Sequence, residues 1–166
     1  CNAIENLIVH REIASQFLPE TIDALADENC EVRADSEARS ILKETRPSLT
    51  VGQATEEDFH DEFLDLILSI KVVDSLEDAI DAVNRYGSGH SDAIVTTDEP
   101  AAERFLSAID TSTVYWNAST RFTDGFEFGL GSEIGISTDR LHARGPMGLQ
   151  ELCTYKYQVR GNGQTK

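Results

Sequence analysis

Cysteine, methionine, lysine and long apolar runs are all scarce in this sequence, and each shortage removes a class of protein. The three cysteines, Cys1, Cys30 and Cys153, are odd in number and far apart. No CxxC pair occurs, so neither a secreted disulfide scaffold nor a zinc ribbon is expected, and reduced thiols in a cytoplasm fit best. His10, His60, His90 and His142 lie too far apart for a local metal motif, so no metal site is expected. No apolar run approaches the roughly 20 residues that span a bilayer, and no basic-then-apolar leader is present, so no membrane role is expected. Only four of the 14 basic residues are lysines, and 30 acidic residues bring the net charge to −16. Such a surface repels phosphate backbones and disfavours nucleic acid as a partner, so none is expected. Methionine occurs once, at Met147, and the chain opens on Cys1. That cysteine is either a nucleophile at a processed N-terminus or the point where a longer polypeptide has been cut.

What is present is ordinary in amount and regular in pattern. The 166 residues suffice for one domain with a core. "NLIVH" (6–10) reads as a strand. Ile13, Phe17, Ile22 and Leu25 then recur at near-helical spacing, which predicts a helix over 12–27. "CEVRA" (30–34) is strand-like, and "SEARSILKE" (36–44) predicts a short helix opened by Ser36. A polar loop through Pro47 and Gly52 precedes "LILSIKVV" (66–73), a continuous apolar run of the kind buried on both faces. Ser75 and Asp78 form a capping pair, with Leu76, Ala79, Ile80 and Val83 on one helical stripe. "DAIVT" (92–96) predicts a strand, Asp98 with Pro100 a helix start, and "STVYWN" (112–117) a fifth strand. This alternation predicts a three-layer α/β/α sheet domain.

The character changes after Asn117. Six of the eleven glycines fall between Gly125 and Gly148, with little periodicity. "GLGSEIG" (129–135) lacks the spacing, the leading strand and the following helix of a nucleotide-binding loop. It reads instead as an extended segment that lets backbone approach a neighbour. "LCTYKYQVRG" (152–161) alternates Tyr155, Tyr157 and Val159 like a strand, and a lone C-terminal strand needs a sheet to join. The expected organisation is therefore an α/β domain over 1–120, a glycine-rich segment over 121–149 and a C-terminal β-arm over 150–166.

Cys1 is the strongest chemical candidate. "NAIEN" after it can form a helical turn, whose positive end favours thiolate, and a thiolate can hold an acyl group as a thioester. Asn117, Arg121 and Thr123 lie just past a strand end, where open α/β sheets place ligands. Arg121 suits planar oxyanions, and Arg144 is a second substrate clamp of the same kind. His90 reads as structural. Two other readings of the chain stay open at this point. One is an N-terminal-nucleophile hydrolase in which the Cys1 amine activates its own thiol. The other is a non-catalytic acidic module that assembles through its C-terminal strand.

"CNAIENLIVH" (1–10) resembles the nucleophile segment of the gamma-glutamyl phosphate reductase family, a proline-biosynthesis branch of the aldehyde dehydrogenase superfamily. "DEFLDLILSIKVVDSLEDAI" (61–80), "NRYGSGHSDAIVTTD" (84–98), "VYWNASTRFTDGFEFGLGSEIGISTDRLHARGPMGL" (114–149) and "TYKYQVRGNGQ" (154–164) resemble its later blocks in order. One departure is that Ala79-Ile80 is followed by Asp81-Ala82-Val83, where the family commonly has a histidine before its Tyr-Gly-Ser-Gly-His. The resemblance implies a cytoplasmic enzyme that reduces L-glutamyl 5-phosphate with NADPH to glutamate 5-semialdehyde and phosphate. It makes Cys1 the nucleophile by motif, and Glu62 the glutamate that contacts the nicotinamide ribose. It also implies a homo-oligomer and functional coupling to a glutamate kinase. On this reading Cys1 is a cut point and the chain is the C-terminal portion of a reductase. The domain that binds most of NADPH then lies upstream, and the portion alone is expected to be inactive.

Overall fold

A computed structural model describes residues 1–166. Strand β1 (Asn6–His10) leads directly into helix α1 (Arg11–Asp27), with the His10 ring accepting from Glu12 N. Strand β2 (Glu31–Ala34), helix α2 (Ser36–Thr45) and the two-residue strand β3 (Gly52–Gln53) follow. The cap of α2 is Asp35 rather than Ser36. One of its carboxylate oxygens accepts from Ala38 N at 2.8 Å and the other from Val72 N at 2.9 Å. The same side chain thus starts the helix and ties it to strand β4 (Ile67–Val73).

Strands β1, β4, β2 and β3 form a parallel sheet in that order. Its two faces are covered differently. Val9, Val32, Ala34, Leu68, Ile70 and Val72 pack against Ala14, Leu18, Ile22, Ala38 and Leu42 of α1 and α2. Each large aliphatic side chain buried there contributes on the order of 1.5–3 kcal/mol. On the opposite face, Asn6 Nδ2 donates to Phe59 O and Ser69 Oγ to Asp58 O, both at 3.0 Å. These acceptors belong to a short 3-10 turn, Glu57–Phe59. Lys71 lies over the Phe59 ring, which in turn meets Tyr86 of helix α3 (Leu76–Tyr86). Helix α3 is capped by Ser75, whose hydroxyl accepts from Asp78 N and donates to Asp78 Oδ2 at 2.6 Å.

The remaining strands, β5 (Ser91–Ile94) and β6 (Thr113–Trp116), flank helix α4 (Glu99–Ala108), which Asp98 caps. A single sheet running through Asn117 is the simplest expectation from the sequence. In the structure β5 and β6 pair in parallel with each other and form a separate two-stranded sheet. Helices α3 and α4 cover it through Ile80, Phe105 and Ile109, packed on Ile94 and Val114. The result is mixed α/β in three layers, with α1 and α2 on one side and α3 and α4 on the other.

The glycine-bearing segment contains one element that its sequence does not announce. Strands β7 (Gly135–Ser137) and β8 (Gly145–Met147) form a short antiparallel pair. Gly129 and Gly131 adopt left-handed backbone in the open turn before it, and no helix leaves that turn. The C-terminal arm forms no strand within this chain. Tyr155, Tyr157 and Val159 are 79%, 84% and 91% exposed. No helix is long and apolar enough to cross a membrane.

Candidate active site

Residues 1–5 form no helical turn, so Cys1 does not sit at a helix N-terminus. The segment has no regular structure, bends at Ala3 and runs into β1, with Glu5 O accepting from Ser69 N at 3.0 Å. The strand pairing begins at once after it, at Asn6 beside Ser69. The thiol of Cys1 is exposed and unpaired. Cys30 and Cys153 are also free thiols, and burial pushes the Cys30 thiol up.

The next residue fixes where Cys1 lies. Asn2 Nδ2 donates to Arg121 O at 3.3 Å and to Thr123 O at 3.0 Å, and Thr120 Oγ1 donates to Asn2 O at 2.8 Å. Ser119 caps the short 3-10 turn Thr120–Phe122, and its hydroxyl accepts from Arg121 N. The start of the chain and the segment after β6 therefore meet, 118 to 121 residues apart in sequence.

The sequence-predicted residues divide into two kinds. Arg121 is exposed, and of the ten arginines it alone has a side chain in no hydrogen bond or ion pair. Its guanidinium is unengaged, on the turn to which Asn2 is bonded. Glu62 is likewise exposed, with a carboxylate that accepts from no group of the chain. Thr123, by contrast, is 3% exposed, and its hydroxyl shares a 2.9 Å hydrogen bond with Tyr115 OH. Asn117 has φ 53°, and its carboxamide grips Thr96, accepting from N at 2.9 Å and donating to O at 2.8 Å. Both side chains are thus engaged within the chain, Thr123 with β6 and Asn117 with the segment after β5. Arg144 donates to Asp110 Oδ1 and Asp110 O, both at 2.8 Å, so it fastens the β7–β8 segment to the end of α4. Both of its terminal nitrogens are engaged, unlike those of Arg121, while its buried Nε has no partner.

Electrostatics draws a further group of residues to this corner. Burial, then the charge of Glu62, holds the Glu5 carboxyl above the usual range, with the amino group of Cys1 acting in the opposite sense. Burial, then the same amino group, pushes the His90 imidazole down, against the pull of Glu133 and Glu62. His90 is 5% exposed; its Nδ1 meets Ser91 Oγ at 2.9 Å, and its buried Nε2 has no partner. Asn2, Glu5 and Glu133 escape a reading of the sequence. Asn2 sits inside the quoted "CNAIEN", but its partners lie more than a hundred residues on and leave no local period. No group of three or more histidine, cysteine or acidic side chains is placed to hold a metal ion.

A parallel sheet between helix layers, with an exposed cysteine leading into its edge strand, defines the class. Residues 48–156 match the aldehyde dehydrogenase family, and the chain belongs to it. Within that family its similarity is to gamma-glutamyl phosphate reductases. It is 57% identical to the one from Opitutus terrae and 54% identical to the one from Listeria innocua, each over the whole of this chain and 39% of the relative. The crystal structure of gamma-glutamyl phosphate reductase from Thermotoga maritima superposes with a TM-score of 0.91 at 49% identity, covering all of this chain and 39% of that one. The Saccharomyces cerevisiae enzyme gives 0.57 at 30% identity. The chain thus spans about 39% of the length of the curated relatives it matches.

Proposed function

We propose that this chain is the nucleophile-bearing part of a gamma-glutamyl phosphate reductase, which converts L-glutamyl 5-phosphate to glutamate 5-semialdehyde and phosphate. The observation that carries the reading is the union of an exposed Cys1 with the turn that bears the one unengaged arginine. A thiolate at Cys1 attacks the acyl carbon, the carbon–sulfur bond forms, and the carbon–oxygen bond to phosphate breaks. Phosphate is a good leaving group, and the resulting thioester accepts hydride more readily than a carboxylate does. Arg121 is suited to the phosphate or the carboxylate of the substrate, because its planar fork presents paired donors to an oxyanion. The side chains of Thr123, Asn117 and Arg144 also bond within the chain, to Tyr115, Thr96 and Asp110, which leaves Arg121 the most open of the four substrate-binding residues.

NADPH supplies the hydride that reduces the Cys1 thioester when bound. The chain's own residues fit such a group at one point, since the exposed Glu62 carboxylate has both oxygens free for ribose hydroxyls. The rest of the cofactor is held by a domain outside these residues, so the 166-residue chain by itself is inactive. The exposed C-terminal alternation of Tyr155, Tyr157 and Val159 supports a homo-oligomer in which the arm adds a strand to another sheet. Free thiols fit a cytoplasmic enzyme, functionally coupled to a glutamate kinase. The parallel layered sheet does not favour the N-terminal-nucleophile reading, which needs sandwiched antiparallel sheets.

The test is phosphate-dependent oxidation of glutamate 5-semialdehyde with NADP, followed by NADPH absorbance. The full-length protein that carries this chain turns over, Cys1→Ser in it does not, and the 166-residue chain alone does not. Undiminished turnover in Cys1→Ser removes the cysteine from the mechanism.

A further inference from the structure

We infer that Asn2 is a positioning residue, whose carboxamide latches the Cys1 segment to the Ser119–Thr123 turn and so fixes the sulfur relative to the Arg121 guanidinium. The inference rests on the roles given above to Cys1 and Arg121. Residues 1–5 have no regular structure of their own, and two anchors hold them. At the strand end, Ser69 N donates to Glu5 O at 3.0 Å. At the cysteine end the hold is Asn2, with its three hydrogen bonds to the turn.

The chemistry of those bonds is selective for a primary amide. The last carbonyls of a helical turn have no partner within the turn. Here Asn2 Nδ2 lies 3.3 Å from Arg121 O and 3.0 Å from Thr123 O, and its two N–H groups supply one donor to each. An aspartate of the same shape has only acceptors and meets two carbonyl oxygens instead. A serine has a single donor and less reach. The bond from Thr120 Oγ1 to Asn2 O closes the pair in the opposite direction, so neither segment slides along the other.

The receiving end is rigid. Thr123 is 3% exposed and bonded to Tyr115 OH in β6, and Ser119 caps the turn. Arg121 rides on this turn, and Cys1 is one peptide bond from Asn2. The latch therefore places nucleophile and guanidinium on one support. Proximity of this kind acts on the reaction only while the geometry is held closely.

The experiment uses the full-length protein with inorganic phosphate as the probe. Carboxamidomethylation of Cys1 by iodoacetamide is followed at the peptide level, with and without phosphate, beside hydrogen exchange of residues 118–124. In the wild type phosphate slows alkylation about fivefold, as expected for an anion gathered by Arg121 next to the sulfur. In Asn2→Asp the protection vanishes, and exchange in 118–124 rises at least about tenfold, the effect of losing a fixed set of hydrogen bonds. Thr120→Val keeps the amide, removes one bond and shows a smaller change of the same sign, which tests the latch should Asn2→Asp not fold. Unchanged exchange in both variants overturns the latch. Faster exchange with phosphate protection intact overturns the positioning role and leaves Asn2 a structural tie. An unprotected wild type overturns the Arg121 clamp itself, and that failure is distinguished from the other two because it needs no variant.

Discussion

Residues 1–117 and residues 124–166 follow opposite rules, although one continuous chain forms both. In the first region a continuous core forms inside the chain, although helix α1 buries Ala14, Leu18 and Ile22 and leaves Ile13 and Phe17 of the expected stripe 51% and 41% exposed. Leu18, Leu42 and Ile70 are at most 2% exposed, and strands β1, β2 and β4 are paired over their lengths. In the second region apolar side chains stay open, with Phe126 70%, Leu141 86% and Leu149 68% exposed, and an alternating tail pairs with nothing in the chain. The comparison teaches that periodicity reports a face that wants covering, and says nothing about what covers it. Where the cover is local in sequence, helix and strand follow. Where it is not, the same pattern yields exposed surface, the kind that marks an interaction site.

The comparison can be broken at several points. The largest effect concerns the junction between the regions, where Asn2, the neighbour of Cys1, bonds the Ser119–Thr123 turn. Cys1→Ser in the full-length protein lowers kcat by about a thousandfold or more, as expected for loss of a covalent nucleophile, measured by semialdehyde oxidation. Arg121→Gln raises KM for phosphate or for the acyl phosphate by about 10- to 100-fold, the loss of one charge-assisted clamp. Truncating Leu18 or Ile70 to alanine costs about 2–5 kcal/mol in denaturant unfolding. Truncating Tyr157 or Val159 in the isolated chain shifts stability by no more than about 0.5 kcal/mol. A large loss at Tyr157 erases the distinction between the two regions.

A smaller and pH-dependent effect sharpens the picture on the first side. Asp92 of β5 lies beside Gly87, and burial pushes its carboxyl from 3.8 up to about 6, with the hydroxyl of Thr111 pulling the other way. The folded protein therefore binds a proton at this site that the unfolded chain releases at lower pH. Stability from this group is present below about 4 and is lost as the pH rises through about 6. Asp92→Asn should raise the melting temperature more at pH 7 than at pH 4, read by thermal scans. His90 is shifted down by burial, so its contribution has the opposite sign, lost as the pH falls below its ordinary value. A melting temperature for Asp92→Asn equally displaced at both pH values contradicts the buried-carboxyl account.

Most of the fold is legible in the sequence because its signals are local. The Ser75–Asp78 pair, the Asp98 cap and the run 66–73 each act within a few residues, and each stands where it is expected. The errors arise where a distant partner decides. Cys1–Glu5 has a composition that tolerates a helical turn, but it forms none, held between the Asn6–Ser69 pairing and the bonds of Asn2 to a turn more than a hundred residues away. Asp35 displaces Ser36 as the cap because it also answers Val72 of a strand that is later in sequence. At the site, Cys1 and Arg121 are readable by residue type. The division of labour among their neighbours is not, since Arg144 and Asn117 look as free as Arg121 until Asp110 and Thr96 are seen to engage them.

The most direct measurement is to mix the full-length protein with L-glutamyl 5-phosphate in the absence of NADPH, quench with acid, and locate the adduct by peptide mass. An acyl increment that rides on the first sulfur of this sequence, disappears with hydroxylamine and is missing from Cys1→Ser is the predicted result. An adduct on Cys30 or Cys153, or none at all while the enzyme still turns over, would contradict the account.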